Sequence, residues 1–356
     1  MKINFSAINT YQDNNIPELV ERSISGKEYI TYGEDNHFPE YLWNGYLNTA
    51  TLQAIINALT DYITGNKITT DTFKFTTRVN KTGEDVESLF TKVVLDYLIY
   101  GGFAIQVIRG VSGEINELYH LDFKNLRSNE NNTLFYYSKD WTKYRSRVIK
   151  YPAYDNNSPT SILYFKGNIT RSTYPIPVYN AALTACELER DINAYHINSI
   201  NNNFTSSAII NFNNGQPNDE QKSEIEDAIN EKFSGYQNAS RILISYNDSA
   251  DNATTIDQVS SDSFDEKYQA LSERTQQQLF TAFRCSPMLL GIDQSGNFNE
   301  NEYKSAYKLF NRTVVMPIQK MIVKALSPVI NVKITPFEID LLDDEKDVVD
   351  NQSVIS

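Results

Sequence analysis

Two prolines, Pro175 and Pro177, stand one residue apart near the middle of the 356-residue chain. No α-helix runs through such a pair, because each proline removes a backbone N–H and restricts the residue before it. A helix can begin just after them. From Val178 onward, Ala182, Ala185, Leu188, Ile192 and Tyr195 keep a helical spacing. This predicts a helix over 178–200, about 35 Å long at 1.5 Å per residue. The Tyr-Pro-Ile-Pro segment therefore separates two differently patterned halves.

Before the prolines the pattern mixes helix and strand. Residues 1–39 are polar and irregular, ending in the turn-rich stretch from Tyr32 to Pro39, and read as an extended arm. Leu42, Tyr46, Leu52, Ile55, Ile56, Leu59 and Ile63 predict one or two amphipathic helices over 40–63, with Gly65 as the stop. A further helix is expected over 85–100, broken at Gly101-Gly102. The period then shifts toward two, which predicts a hairpin of strands 103–109 and 115–121 around a turn at 110–114. Short aromatic-rich strands are expected through Tyr151 and again over 161–165.

After the prolines, long helices enclose a small α/β module. Strands are expected over 204–212 and 241–246, with a helix over 219–233 capped by Asn218 or Asp219. The second long helix should run over 264–283, where Phe264, Tyr268, Leu271, Thr275, Leu279 and Ala282 are in register. Residues 285–299 carry a proline, two glycines and polar side chains, and read as a loop. A third helix is expected over 300–326, kinked by Pro317, then a strand over 329–334 and a solvated acidic tail. The fold class is α+β. No internal repeat is evident.

A hydrophobic fraction of 40% supports a substantial core, while 45 acidic against 32 basic residues give a net charge of −13. Tight phosphate binding relies on clustered Lys and Arg, so this balance argues against a nucleic-acid clamp. It permits a surface past which DNA slides. The N-terminal residues lack the pattern of a signal peptide, and the apolar stretch 93–108 is too short to span a bilayer; neither secretion nor a membrane span is expected. Cys186 and Cys285 form no CxxC motif or disulfide framework and read as small core residues.

No constellation suggests an enzyme, a metal site or a cofactor. His37, His120 and His196 lack metal-ligand spacing, and surface or satisfied core roles explain them more cheaply. Glu187 with Glu189, and Asp343, Asp344 and Glu345, read as a charged helix face and a solvated tail. There is no P-loop, no nucleophile elbow, and no dinucleotide loop at Gly101-Gly102. The 23 Tyr and 18 Phe suit base stacking or large interfaces; without a basic groove, core and interface packing is the better reading.

Several segments resemble the phage portal family. Gly33-Glu-Asp-Asn-His-Phe-Pro-Glu-Tyr-Leu42 with Ala54-Ile-Ile-Asn57 is similar to the opening segment of one portal branch. Leu98-Ile-Tyr-Gly-Gly-Phe-Ala-Ile-Gln-Val107 with Glu117-Leu-Tyr-His-Leu-Asp122 resembles the wing hairpin. Tyr174-Pro-Ile-Pro-Val-Tyr-Asn-Ala-Ala182, after Ile162-Leu-Tyr-Phe165, is similar to the start of the first stem helix, and Asn202-Asn-Phe-Thr-Ser-Ser-Ala-Ile-Ile210 to the first clip strand. Most specific is Thr281-Ala-Phe-Arg-Cys-Ser-Pro-Met-Leu-Leu-Gly291, followed by an Asn-rich loop, Glu302, and Phe310 to Pro317. It resembles the family's stem end, tunnel loop and kinked wing helix.

The resemblance implies an arm (1–39), a first wing part (40–175), a stem helix (176–203), a clip (204–262), a second stem helix (263–284), a tunnel loop (285–299), a kinked wing helix with closing strand (300–339), and an acidic tail or vestigial crown (340–356). It implies a ring of about twelve copies at one capsid vertex of a virion assembled in the host cytoplasm. Double-stranded DNA would pass through it, bound weakly and without sequence preference. The implied partners are the terminase large subunit, a head–tail adaptor, and the major capsid or scaffold protein, with no membrane, cofactor or catalysis. Asp293, Gln294, Ser295, Asn297 and Asn299 would face the DNA, and Arg284 would sit at the stem end, between subunits or against its own core in preference to a phosphate contact. Only about thirty residues follow Leu326, so the expected crown is minimal or missing, or the sequence is trimmed short of it. The competing readings are another virion ring, such as a head–tail adaptor, and a metal-dependent hydrolase built on scattered carboxylates.

Overall fold

The computed structural model describes residues 19–143, 147–167, 172–201, 209–212, 243–246, 264–292 and 300–337. They fall into two units, one built from residues 1–186 and 277–356 and the other from 187–276. The fold is α+β, as the alternating periodicities predicted.

In the first unit, α1 (Phe38–Asn48) begins with Pro39 in its first turn, and α2 (Ala50–Thr64) follows the extended residue Thr49. The segment 40–63 is thus two helices. Helix α2 buries Leu52, Ile55, Ile56, Leu59 and Ile63, the stripe read from the sequence. Helix α3 (Val86–Tyr100) is capped by Asp85, whose side chain accepts from the Ser88 N–H at 2.8 Å. It stops at Gly101, whose φ is +81°. A Cβ there would stand 2.5 Å from the Ile176 carbonyl oxygen. The glycine thus ends the helix and lets the double-proline segment press against that end.

Strand β2 (Gly102–Arg109) lies between β3 (Ile115–Leu121) and β7 (Thr160–Lys166) in an antiparallel sheet. As the central strand it buries Phe103, Ala104, Ile105 and Val107, so no polar alternation survives there. A second antiparallel sheet joins β4 (Leu126–Ser128), β5 (Leu134–Tyr137) and β6 (Ile149–Pro152). The strand expected over 329–334 is displaced toward the C-terminus. The N–H groups of Val329 and Ile330 both return to the Leu326 carbonyl, so the chain is still turning there. The strand, β10 (Val332–Thr335), pairs antiparallel with β1 (Lys67–Thr70), which was not read from the sequence.

The third long helix is interrupted. Helix α6 (Glu300–Phe310) passes into a π turn at Asn311–Val315 before α7 (Met316–Leu326). The Met316 N–H bonds to the Asn311 carbonyl, five residues back. Pro317, in the first turn of α7, cannot donate, and the wider turn ahead of it absorbs the break.

The expected arm is irregular in backbone over its described part, residues 19–37, yet it is folded onto the body. Both carboxylate oxygens of Glu21 accept backbone N–H groups, from Thr173 and Tyr174, at 2.8 Å. Tyr32 is fully buried, stacks on Tyr174 with centroids 4.0 Å apart, and donates to the Pro175 carbonyl at 3.0 Å. Over these residues aromatic stacking and buried hydrogen bonds hold the segment down.

Helices α4 (Leu183–Asn201) and α5 (Phe264–Phe283) carry the chain between the units. The first starts later than expected because Asn180–Ala182 form a 3-10 turn, in which the Asn180 N–H bonds to the Pro177 carbonyl. Within the second unit, Tyr195 of α4 stacks on Tyr268 of α5, with centroids 4.5 Å apart. Strands β8 (Ile209–Phe212) and β9 (Leu243–Tyr246) pair in parallel. The helix expected over 219–233, residues 204–208 of the expected first strand and residues 241–242 of the second lie outside the described residues.

Candidate functional site

Asp293, Gln294, Ser295, Asn297 and Asn299, the residues expected to meet DNA, also lie outside the described residues. The structure describes the base from which they depart. Helix α5 ends in a Schellman turn: the Cys285 N–H bonds to the Phe280 carbonyl and the Arg284 N–H to the Thr281 carbonyl, both at 3.0 Å. The left-handed position of that turn, which favours glycine, is held by Arg284 at φ +52°. A second Schellman turn comes at once. Pro287–Leu290 form a 3-10 turn, Gly291 takes φ +74°, and the Ile292 and Gly291 N–H groups return to Pro287 and Met288.

The exposed side chain of Arg284 lies near Tyr97. Burial pushes the Tyr97 hydroxyl above its ordinary pKa, and the Arg284 charge partly offsets that rise. The cation therefore has an electrostatic neighbour in its own unit.

Tyr62 on α2 anchors the base. Its hydroxyl donates to the Leu289 carbonyl at 2.6 Å. Its ring packs against Tyr307 at 5.7 Å, Phe310 at 5.8 Å and Phe337 at 6.0 Å. One side chain thus ties helix α2, the turn before the loop, helix α6 after it, and the end of the closing strand. Burial pushes the Tyr62 hydroxyl far above the usual phenol range. Close by in sequence, Gln319 donates to the Ile63 carbonyl at 2.9 Å. Cys285 and Leu289 are buried, and burial pushes the Cys285 thiol up to about 12, which disfavours a reactive thiolate. Tyr62 is not evident as an anchor from the sequence; its one signal is a place beside the apolar stripe of α2.

Among the described residues, the polar groups that could carry chemistry do not gather. His120 pairs with Asp96 at 2.7 Å, His37 stands 3.8 Å from Glu40, and His196 packs edge-on to Tyr195 and Tyr268. Glu187 pairs with Arg190 at 3.8 Å. Among the described residues no three His, Cys, Asp or Glu side chains could share a metal ion. Among them, too, no helix is long and apolar enough to cross a membrane. What the described residues next to 293–299 form is two tight turns and a tyrosine anchor.

The sequence model for phage portal proteins matches residues 83–336, from the start of α3 past the end of β10. A search of curated proteins finds no match. Similar folds occur in a chain of the native gene transfer agent virion, with a TM-score of 0.56 at 17% identity, covering 89% of this chain and 90% of that one. A chain from the neck of the native gene transfer agent particle, computed with C12 symmetry, gives 0.54 at 18%, covering 89% of each. An HK97-family phage portal protein from Corynebacterium diphtheriae gives 0.50 at 11%, covering 80% of this chain and 88% of that one. At these identities the structural likeness speaks to the fold alone, whereas the sequence match extends over most of the protein: the chain belongs to the phage portal protein family.

Proposed function

We propose that this chain is one subunit of a ring, of about twelve copies, at a single capsid vertex, through which double-stranded DNA is packaged and later ejected. The observation that carries the reading is the family match over residues 83–336. A similar fold in a particle neck computed with C12 symmetry supports the ring number. In this reading residues 178–200 and 264–283 form the stem, and 204–260 form a clip that meets the terminase large subunit and then a head–tail adaptor. The surrounding wing contacts the major capsid or scaffold protein. Residues 286–299 reach into the tunnel, with Arg284 at the stem end.

The ring is a conduit rather than a motor, because no nucleotide-binding loop is encoded. Its electrostatics fit that role. A cationic lining would release counterions and trap the duplex at each step, whereas this chain carries a net charge of −13 and the segment 293–299 has no cation. The two turns and Tyr62 would hold the base of that segment while its polar tip brushes passing phosphates.

Electron microscopy of the purified full chain tests the reading. A closed ring with a central channel wide enough for duplex DNA is expected. Monomers or open chains at every concentration, together with failure of the gene to complement packaging, would overturn it.

A further inference from the structure

Residues 303–337 contain Lys304, Lys308, Arg312, Lys320, Lys324 and Lys333 and not one Asp or Glu, in a chain that is acidic overall. Lys308 on α6, Arg312 in the π turn, and Lys320 and Lys324 on α7 are exposed, as are Leu309 at 66% and Met316 at 41%. Lys333 pairs with Asp71 at 3.2 Å, but those four cations have no carboxylate partner among the described residues. The result is a face about 24 Å long, from Lys308 to Lys324, that mixes cations with large apolar side chains.

The described chain ends against the same helix. The Tyr307 hydroxyl donates to the Phe337 carbonyl at 3.4 Å, one residue from Lys308. Residues 338–350 have the complementary composition: Glu338, Asp340, Asp343, Asp344, Glu345, Asp347 and Asp350, interleaved with Ile339, Leu341, Leu342, Val348 and Val349, and a single Lys346. Thirteen residues reach roughly 43 Å when extended, ample to run the length of the face.

We propose that residues 338–350 dock in cis on the exposed face of α6 and α7, carboxylates against Lys308, Arg312, Lys320 and Lys324, apolar residues against Leu309 and Met316. Each exposed ion pair contributes little alone. Tethering at Phe337 raises the effective concentration of the segment, which favours its own chain over a neighbour's. The docked segment keeps this basic face from competing for DNA phosphates.

The test uses the full chain and does not depend on ring formation, so its failure and that of the portal reading are distinguishable. A Glu-specific protease should cut after Glu345 about tenfold faster at about 0.5 M salt than at low salt. A variant carrying Lys308→Gln, Arg312→Gln, Lys320→Gln and Lys324→Gln should be cut as fast as the parent at high salt. Carbodiimide coupling of an equal mixture of unlabelled and 15N-labelled chains should join Lys308, Lys320 or Lys324 to the acidic segment within one isotopic chain. Truncation after Phe337 should raise affinity for a short DNA duplex about tenfold at low salt, and the four substitutions should cancel the gain. Equal cleavage rates under all conditions would overturn the proposal. So would coupling confined to mixed isotopic pairs, which would make the face a contact between copies. Duplex binding by the full chain through these same cations would instead mark a DNA surface, and would overturn it too.

Discussion

The Nε of Arg127 donates to Oδ1 of Asn36 at 2.6 Å, joining strand β4 to a turn ninety-one residues earlier in the chain. Arg127 is fully buried. Its Nη2 donates to the Asn36 carbonyl at 2.6 Å, and its Nη1 to the carbonyls of Lys124 and Leu126 at 2.7 and 2.9 Å. Burial pulls the guanidinium pKa below its ordinary value, and the Glu40 carboxylate, 3.5 Å from Nη2, draws it back. Asn36 meets the cation from a left-handed backbone, φ +68°, and its Oδ1 also accepts the Tyr32 N–H at 3.0 Å.

Replacing Arg127 by Met should therefore cost about 3–5 kcal/mol, since three carbonyls, the Asn36 amide oxygen and the Glu40 carboxylate lose their buried partner. Equilibrium urea unfolding measures it. A loss below about 1 kcal/mol would mean the cluster relaxes to water.

Tyr62→Phe keeps the ring among Tyr307, Phe310 and Phe337 and removes the hydroxyl with its hydrogen bonds to the Leu289 carbonyl and to Tyr303. A loss of about 1 kcal/mol is expected. Hydrogen exchange should quicken over residues 286–292 and stay unchanged in β2 and β3. Uniform quickening would place the tyrosine in the general core instead of at the loop base.

The Asp96–His120 pair gives the stability a pH dependence. Burial opposes charge on His120, but the Asp96 carboxylate, with Asp122 behind it, outweighs burial and raises the imidazole pKa above 6.5 even with Lys92 opposing. A group whose pKa is raised on folding stabilises fully below its unfolded value and loses that contribution as pH climbs through the folded one. Unfolding free energy should fall as pH rises from about 6.5 through the raised folded pKa, and His120→Gln should flatten that fall. A parent curve already flat across that range would contradict the pairing.

Both cysteines should resist alkylation in the native chain. Cys186 is 2% exposed, and the Cys285 thiol is pushed up to about 12, so thiolate is scarce near neutral pH. Mass spectrometry after iodoacetamide treatment should find neither modified until denaturant is added. Labelling of Cys285 at the rate of a free peptide would show that the base of the loop opens readily.

At the loop itself, Asp293→Lys with Asn297→Lys should raise duplex affinity in assembled rings and steepen its salt dependence. Deleting residues 294–298 should leave assembly intact while impairing packaging or DNA retention. Unchanged affinity in the first case, or loss of assembly in the second, would remove these residues from the tunnel.

Side-chain periodicity is a local property, and wherever it governs, the chain was legible without coordinates. The stripe of α2, the limits of α3 and α5, the β2–β3 hairpin with its turn, and the stop at Gly101 all arise from residues within a few positions of one another. The polar, cation-free character of 293–299 was equally plain. What holds those elements together was not, because long-range hydrogen bonds and ring contacts leave no periodic trace. The pairing of β1 with β10 joins residues far apart in sequence, and Arg127 finds Asn36 only once both are packed. The same holds for residues 19–37, which look like an arm until Tyr32 stacks on Tyr174. Arg284 takes a left-handed turn that its own side chain disfavours, and Tyr62 becomes an anchor only because α2, α6 and the closing strand converge on it. Local periodicity determined most of the helices and the β2–β3 hairpin; the buried, non-repeating contacts decided where each one is held and which short strands form.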